Sequence, residues 1–204
     1  MIYLSGCVRQ DLLRQRNLGL MLTPRMGNRP ELNQTPWAAD TGCYNQGDCF
    51  RLDRYLTWLE SLRCHQATCL FATAPDVVGD AAATWERSVA VLPQLRARGY
   101  PAALVGQDGL ERMAIDWIAF DCLFIGGTTR WKLSEVAWQL GTEAKRRGKH
   151  VHLGRVNSRR RLLAAATAGY DSADGTYIAF GPDRNQQRVR GWLQEIAIQA
   201  ALRF

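Results

Sequence analysis

Eight short apolar runs, most of them followed by a helical pattern, predict an α/β fold: a compact, irregular (β/α)8 barrel formed by one domain over residues 1–204. The runs are apolar throughout rather than alternating, as strands buried on both faces are. Polar residues gather directly behind them. An open doubly wound sheet is the alternative, but no GxGxxG follows the first run and no acidic partner stands at the distance a dinucleotide fold needs.

In chain order the strand candidates are MIYLS (1–5), LGLML (18–22), WAAD (37–40), CLFATA (69–74), AALVG (102–106), CLFIGG (122–127), HVHLGRV (150–156) and a weaker DSADGTYIAF (171–180). Helical spacing is expected over 8–16, 49–63, 81–98, 131–147, 157–168 and 183–200. In 49–63, for example, Phe50, Leu52, Tyr55, Leu56, Leu59 and Leu62 share a face. Ser134 and Asp183 suit a cap or first turn, and Gly99, Gly148 and Gly169 stand where helices should stop. A short helix fits between 106 and 117, whereas 23–36 reads as a loop.

Composition narrows the function. Twenty-six Lys and Arg against nineteen Asp and Glu give a net charge of +7, with 47% hydrophobic and 22% charged residues, which is ordinary globular usage and excludes a disordered chain. No run approaches the ~18 apolar residues of a membrane span, and the N-terminus lacks a basic leader, so a cytoplasmic protein is expected. Of the six cysteines, Cys43, Cys49, Cys64 and Cys69 with His65 come nearest to a metal cluster. Their spacings match no familiar zinc pattern, so reduced thiols, no metal and no cofactor are expected. GKS/GKT, HExxH and GxSxG are all absent.

In a parallel barrel the chemistry lies just past the C-terminal ends of the strands. Those positions hold Asp40, Asp76, Asp80, Gln107, Asp108, the Gly126–Gly127 pair, His152, Arg155, Asn157, Asp171 and Asp174. Any one of them serves a turn or cap as readily. Together, acids and amides from several strands suit acid/base chemistry on a polar, hydrogen-bonding substrate. The charge adds a second requirement. Lys145, Arg146, Arg147, Lys149, Arg155, Arg159, Arg160 and Arg161 lie in seventeen residues with no acid among them, which points to a phosphate backbone. Trp37, Tyr44, Trp131 and Tyr177, near strand ends, are candidates for stacking on a base, against core packing as the ordinary role of such rings.

Read in order, ADTGCY (39–44), PDVVGD (75–80), VGQDG (105–109), FIGG (124–127) and GYDSADGT (169–176) resemble the guanine transglycosylases that exchange a base in tRNA. FIGGTTRWKL and HVHLGRVNSRRR are closer to their DNA-directed relatives, the deazapurine-in-DNA transglycosylases of phages and bacterial genomic islands. The resemblance implies an irregular barrel and double displacement at the N-glycosidic carbon. By position, Asp174 would be the nucleophile and Asp40 the general acid/base. Asp76 or Asp80 would read the guanine edge, Gln107 would meet its carbonyl, and the Gly126–Gly127 backbone would close over the ring. The tight cysteine cluster of the tRNA enzymes' zinc subdomain is missing, which makes DNA a more natural partner than tRNA, with a free base such as a 7-deazaguanine as second substrate. Asp40-Thr41-Gly42-Cys43 replaces the family's serine with two following glycines, which leaves base identity open. Water could finish the same reaction, making a DNA glycosylase, and a non-enzymatic nucleic-acid-binding barrel is the third alternative.

Overall fold

The computed structural model describes residues 1–6, 17–26, 32, 34–43 and 50–202. The strands are β1 (Ile2–Ser5), β2 (Leu18–Leu22), β3 (Trp37–Ala39), β4 (Cys69–Thr73), β5 (Ala102–Gly106), β6 (Cys122–Ile125), β7 (His150–Leu153) and β8 (Ser172–Gly175). Each pairs in parallel with its sequence neighbours, and β8 returns to β1, in register Leu4 with Asp174, to close the barrel. All eight runs contain a strand, although the eighth is strand only over Ser172–Gly175 and turns into a 3-10 turn at Ile178–Phe180, and the open sheet is excluded.

Strand alternation sorts the side chains into two cores. Leu4, Met21, Ala38, Phe71, Ala103, Val105, Cys122 and Phe124 fill the interior of the barrel. Their neighbours, among them Tyr3, Leu20, Trp37, Leu104 and Leu123, pack outward against the helices. Phe71 is fully buried among the inner residues, a ring whose truncation would cost about 3–5 kcal/mol.

The helices are α1 (Leu52–Glu60), α2 (Ala81–Ser88), α3 (Leu92–Ala97), α4 (Thr129–Lys132), α5 (Glu135–Arg146), α6 (Arg159–Thr167) and α7 (Pro182–Ala201), with short 3-10 turns at Arg63–Thr68, Leu110–Arg112 and Ile178–Phe180. Two helices expected to be continuous are broken. Over 81–98 the chain stops after Ser88 and restarts at α3, because Pro93 lacks an N–H and its ring crowds the preceding turn, so it sits only in a first turn. Over 131–147 there are two caps: Thr128 accepts from the Trp131 N–H to start α4, and Ser134 accepts from the Ala137 N–H to start α5. The expected helix over 8–16, part of the loop over 23–36, and Cys7, Tyr44 and Cys49 lie outside the described residues.

Two expected placements are corrected by topology. Asp171 precedes β8, so it sits at the N-terminal end of the barrel, where it pairs with Lys145 at 2.7 Å and accepts the Val151 N–H. Lys145, Arg146, Arg147 and Lys149 end α5 just before β7 and share that same end. Arg146 and Arg147 pair with Glu143, and Lys149 donates to the Phe120 carbonyl. Arg155, Arg159, Arg160 and Arg161 follow β7 at the opposite, C-terminal end. The basic run is therefore two groups on opposite faces of the barrel, and its first half cannot contact a strand held at the strand ends. Among the described residues, no helix is long and apolar enough to cross a membrane.

Candidate active site

A cavity of about 190 Å³ opens at the C-terminal ends of the strands. Its polar lining is Thr23, Asp40, Thr73, Asp76, Gln107, Arg155 and Asp174; Val78, Val105 and Phe124 supply apolar wall, and Gly42, Gly126 and Gly127 bring backbone close. This is below the ~300 Å³ of a typical small-molecule site and suits a single flat ring system. Asp40, Asp76, Gln107, Gly126, Gly127 and Asp174, drawn from five different strand ends, thus meet in one place.

Gln107 is the bracket of the site. It is buried, and its Oε1 accepts from Gly79 N at 2.9 Å and Gly127 N at 3.0 Å, tying the loops after β4 and β6 together. Its Nε2 donates to Asp76 Oδ2 at 2.6 Å. Two amide donors on one atom and a carboxylate on the other leave only one orientation of the amide. Asp76 also accepts from the Cys43 thiol at 3.0 Å, and burial, with Asp76 next, pushes that thiol up to about 11. Cys43 is therefore a neutral donor.

Gly127 has φ +58°, and a side chain there would collide with the ring of Trp131. Only glycine lets the backbone lie flat on that ring. Trp131 is thus the support under the glycine loop, with its Nε1 donating to Glu111, and not a stacking surface. Trp37 is likewise wholly buried outside the barrel, and Tyr177 packs against Trp192 at 5.0 Å. The aromatic wall of the cavity is Phe124, which the strand-end reading passed over.

Asp40 stands at the cavity floor, its Oδ1 accepting from Gly42 N at 2.7 Å. Burial pushes its carboxyl up to about 6, the nearby Asp76 and Asp174 adding to the effect while the Gly42 bond works against it. Across the barrel, Asp174 Oδ1 receives His152 Nε2 at 3.0 Å and the Arg155 N–H at 3.2 Å. Arg155 is the one non-glycine with positive φ among the described residues, at 57°, and its guanidinium donates to the Gly127 carbonyl. That twist turns its main-chain N–H toward Asp174 and its side chain along the cavity mouth. Beneath it, buried Lys132 donates to the Gly154 carbonyl at 2.7 Å; burial first and Arg155 next hold its amine down to about 8.

Asp80 is a correction. It caps α2, accepting from Ala83 N at 3.0 Å, and is exposed outside the cavity, so it reads no base. Asp80→Ala should lower stability by about 1 kcal/mol in urea unfolding and leave ligand binding intact. Asp108 and Asn157 are also loop supports: Asp108 accepts from the Thr128 N–H and hydroxyl, and Asn157 accepts from Tyr177 N and donates to the Thr176 hydroxyl. His152, expected among the strand-end residues, is wholly buried inside the barrel behind Asp174 and does not line the cavity. Lys132 was missed. Among the described residues, no three His, Cys, Asp or Glu side chains are grouped to hold a metal.

No protein-family model and no curated protein matches the chain. Among solved structures it is similar to the Bacillus subtilis YkuI protein, which has an EAL domain and was crystallised with substrate c-di-GMP and calcium, at 18% identity and TM-score 0.47 over 83% of this chain and 45% of that one. It is also similar to a protein described as a glycerophosphoryl diester phosphodiesterase from Silicibacter pomeroyi, at 16% identity and TM-score 0.44 over 88% of this chain and 52% of that one. The chain spans about half the length of each.

Proposed function

We propose that the protein is an enzyme that breaks the N-glycosidic bond of a nucleobase in DNA and exchanges guanine for a deazaguanine by double displacement. The observation that carries this reading is the convergence of Asp40 and Asp174, from β3 and β8, on one base-sized cavity framed by Asp76, Gln107 and the Gly126–Gly127 backbone. The order of motifs that resembles the guanine transglycosylases supplies these same six residues.

Each group has a task. The target base leaves the duplex and enters the cavity, against Phe124 and under the glycine loop. Asp76 accepts from N–H groups on the base edge. Gln107, with Oε1 already engaged twice, meets a base carbonyl through its amide nitrogen. An oxygen of Asp174 attacks the sugar carbon C1′ and forms an ester, while the C1′–N bond breaks and its electron pair leaves with the base. Asp40 gives that nitrogen its proton. The incoming base then attacks C1′, Asp40 takes the proton it releases, and Asp174 departs as a carboxylate. Water in place of the incoming base gives an abasic site by the same steps. A carboxyl held near neutrality by burial, facing a second acid, is an arrangement suited to proton transfer more than to binding alone.

The test is to incubate single-stranded DNA, duplex DNA and tRNA with the protein, with and without free 7-deazaguanine, and to analyse the nucleosides. Exchange puts the deazaguanine nucleoside into DNA, and hydrolysis leaves abasic sites. Neither product from any substrate removes the reading.

DNA affinity should also fall with salt. Replacing Arg160 and Arg161 together by Ala should reduce the slope of log K against log salt by roughly 1 for each phosphate left without its arginine. Replacing Arg146 and Arg147, at the opposite end of the barrel, should leave the slope unchanged. Equal effects from the two pairs would mean that binding does not centre on the strand ends.

A further inference from the structure

We propose that His152 is a positioning residue for Asp174, and that Ser172 and His150 complete a one-directional hydrogen-bond line through the barrel that fixes which carboxylate oxygen faces the cavity. The inference rests on the reading of Asp174 as the attacking group.

His152 is wholly buried inside the barrel, its ring 4.4 Å from that of Phe124 and 4.9 Å from that of Phe71. An imidazole buried there must have both nitrogens satisfied. Nε2 lies 3.0 Å from Asp174 Oδ1, Nδ1 lies 2.8 Å from Ser172 Oγ, and the same Oγ lies 2.7 Å from His150 Nε2. With neutral rings, only one proton arrangement satisfies this chain. An ionised carboxylate can only accept, so His152 carries its proton on Nε2. Its bare Nδ1 must then accept, and the Ser172 hydroxyl spends its single proton there. Ser172 Oγ in turn receives the Nε2–H of His150. Burial holds His150 down to about 4, against the opposing pull of Asp171, so the far ring stays neutral.

The consequence is at Asp174. Its Oδ1 is held twice, by His152 and by the Arg155 N–H, which leaves Oδ2 as the oxygen for the cavity. Attack requires that oxygen within ~3–3.5 Å of C1′ and aimed along the bond, and a misplacement of about 1 Å costs on the order of 100-fold. The same Nε2–H bond strengthens when the ester breaks and charge returns to Asp174, so it favours the second displacement as well.

The experiment joins a spectroscopic readout with kinetics. In the wild-type protein, nitrogen-15 NMR should show His152 as the Nε2–H tautomer with a bare Nδ1; any other protonation state overturns the line. His152→Phe keeps the ring packing and removes the donor, so kcat for base exchange should fall about 100-fold with KM for the free base unmoved. His152→Gln, whose amide can donate in place of Nε2, should recover at least about tenfold of that loss. A Phe variant at the wild-type kcat, or a Gln variant no better than Phe, overturns the proposal. Should the Phe variant not fold, Ser172→Ala carries the test: it leaves His152 packed but removes the hydroxyl that donates to its Nδ1 and anchors the ring, and kcat should drop with KM unmoved. An unmoved kcat there is equally a refutation. A wild-type protein that neither releases nor exchanges a base refutes the reading of the site instead, and the tautomer still decides the hydrogen-bond line.

Discussion

Asp174→Asn should lower base exchange by about 10³-fold or more while DNA binding survives. The amide keeps the shape of the carboxylate and still offers an oxygen to His152 Nε2 and the Arg155 N–H, so the cavity keeps its form. What is lost is the ability to form an ester at C1′, and denaturing gels of trapped reactions should show no DNA–protein adduct. Asp171→Asn is the control, and the structure sharpens it. Three residues earlier in the chain, Asp171 lies at the other end of β8, paired with a half-buried Lys145. Its loss should cost about 1 kcal/mol of stability in urea unfolding and leave the reaction running. Full activity in Asp174→Asn with none in Asp171→Asn would reverse the assignment. Full activity in both would end the double-displacement mechanism.

The strands were legible because a parallel barrel buries both faces of each, so a run such as CLFATA or LGLML carries its own evidence. Helix bounds were less so. Periodicity over 81–98 continues across Pro93 although the backbone cannot, and Thr128 and Ser134 compete to start one helix where two exist. At the site, Asp40, Asp76, Gln107, Gly126 and Gly127 could be found by position alone, since each follows a strand, and Asp174 lies near the C-terminal end of one. Asp80 shares residue type and a place after β4 with Asp76, and only the direction of its side chain toward Ala83 N makes it a cap. The basic run misled for a geometric reason: residues contiguous in sequence cross from one end of the barrel to the other along β7, whose four residues at about 3.3 Å each separate Lys149 from Arg155. His152 stood among the strand-end residues, but its place behind Asp174 was hidden, because an apolar strand gives no sign of which alternate side chain points inward and its partners on β8 lie twenty and more residues away.

Asp40→Asn should change stability and activity in opposite directions, and pH should separate the two. The carboxyl rises from 3.8 in the unfolded chain to about 6 in the fold, chiefly by burial. Below about pH 4 the acid is protonated in both states and contributes nothing. Between these values the unfolded chain has lost a proton that the native state keeps, so stability falls as pH rises and levels off above about 6. At 1.36 kcal/mol per unit this amounts to at most about 3 kcal/mol, and the solvent reaching the cavity floor reduces it. The asparagine still accepts the Gly42 N–H and carries no charge to bury, so the variant should be the more stable protein at about pH 8 and equal to wild type at about pH 4 in urea unfolding. Base release should move the other way. Wild-type single-turnover rates should decline as pH passes about 6 and the proton for the departing nitrogen is lost, and the variant should be slower by about 10²–10⁴-fold with that limb absent. Greater stability joined to slower release is what a buried carboxyl used for proton transfer gives, because the burial that weakens the fold also keeps the proton on Asp40 up to about pH 6. An Asn variant that is less stable at about pH 8, or one that keeps the pH limb near 6, would show that the proton reaching the base does not come from Asp40.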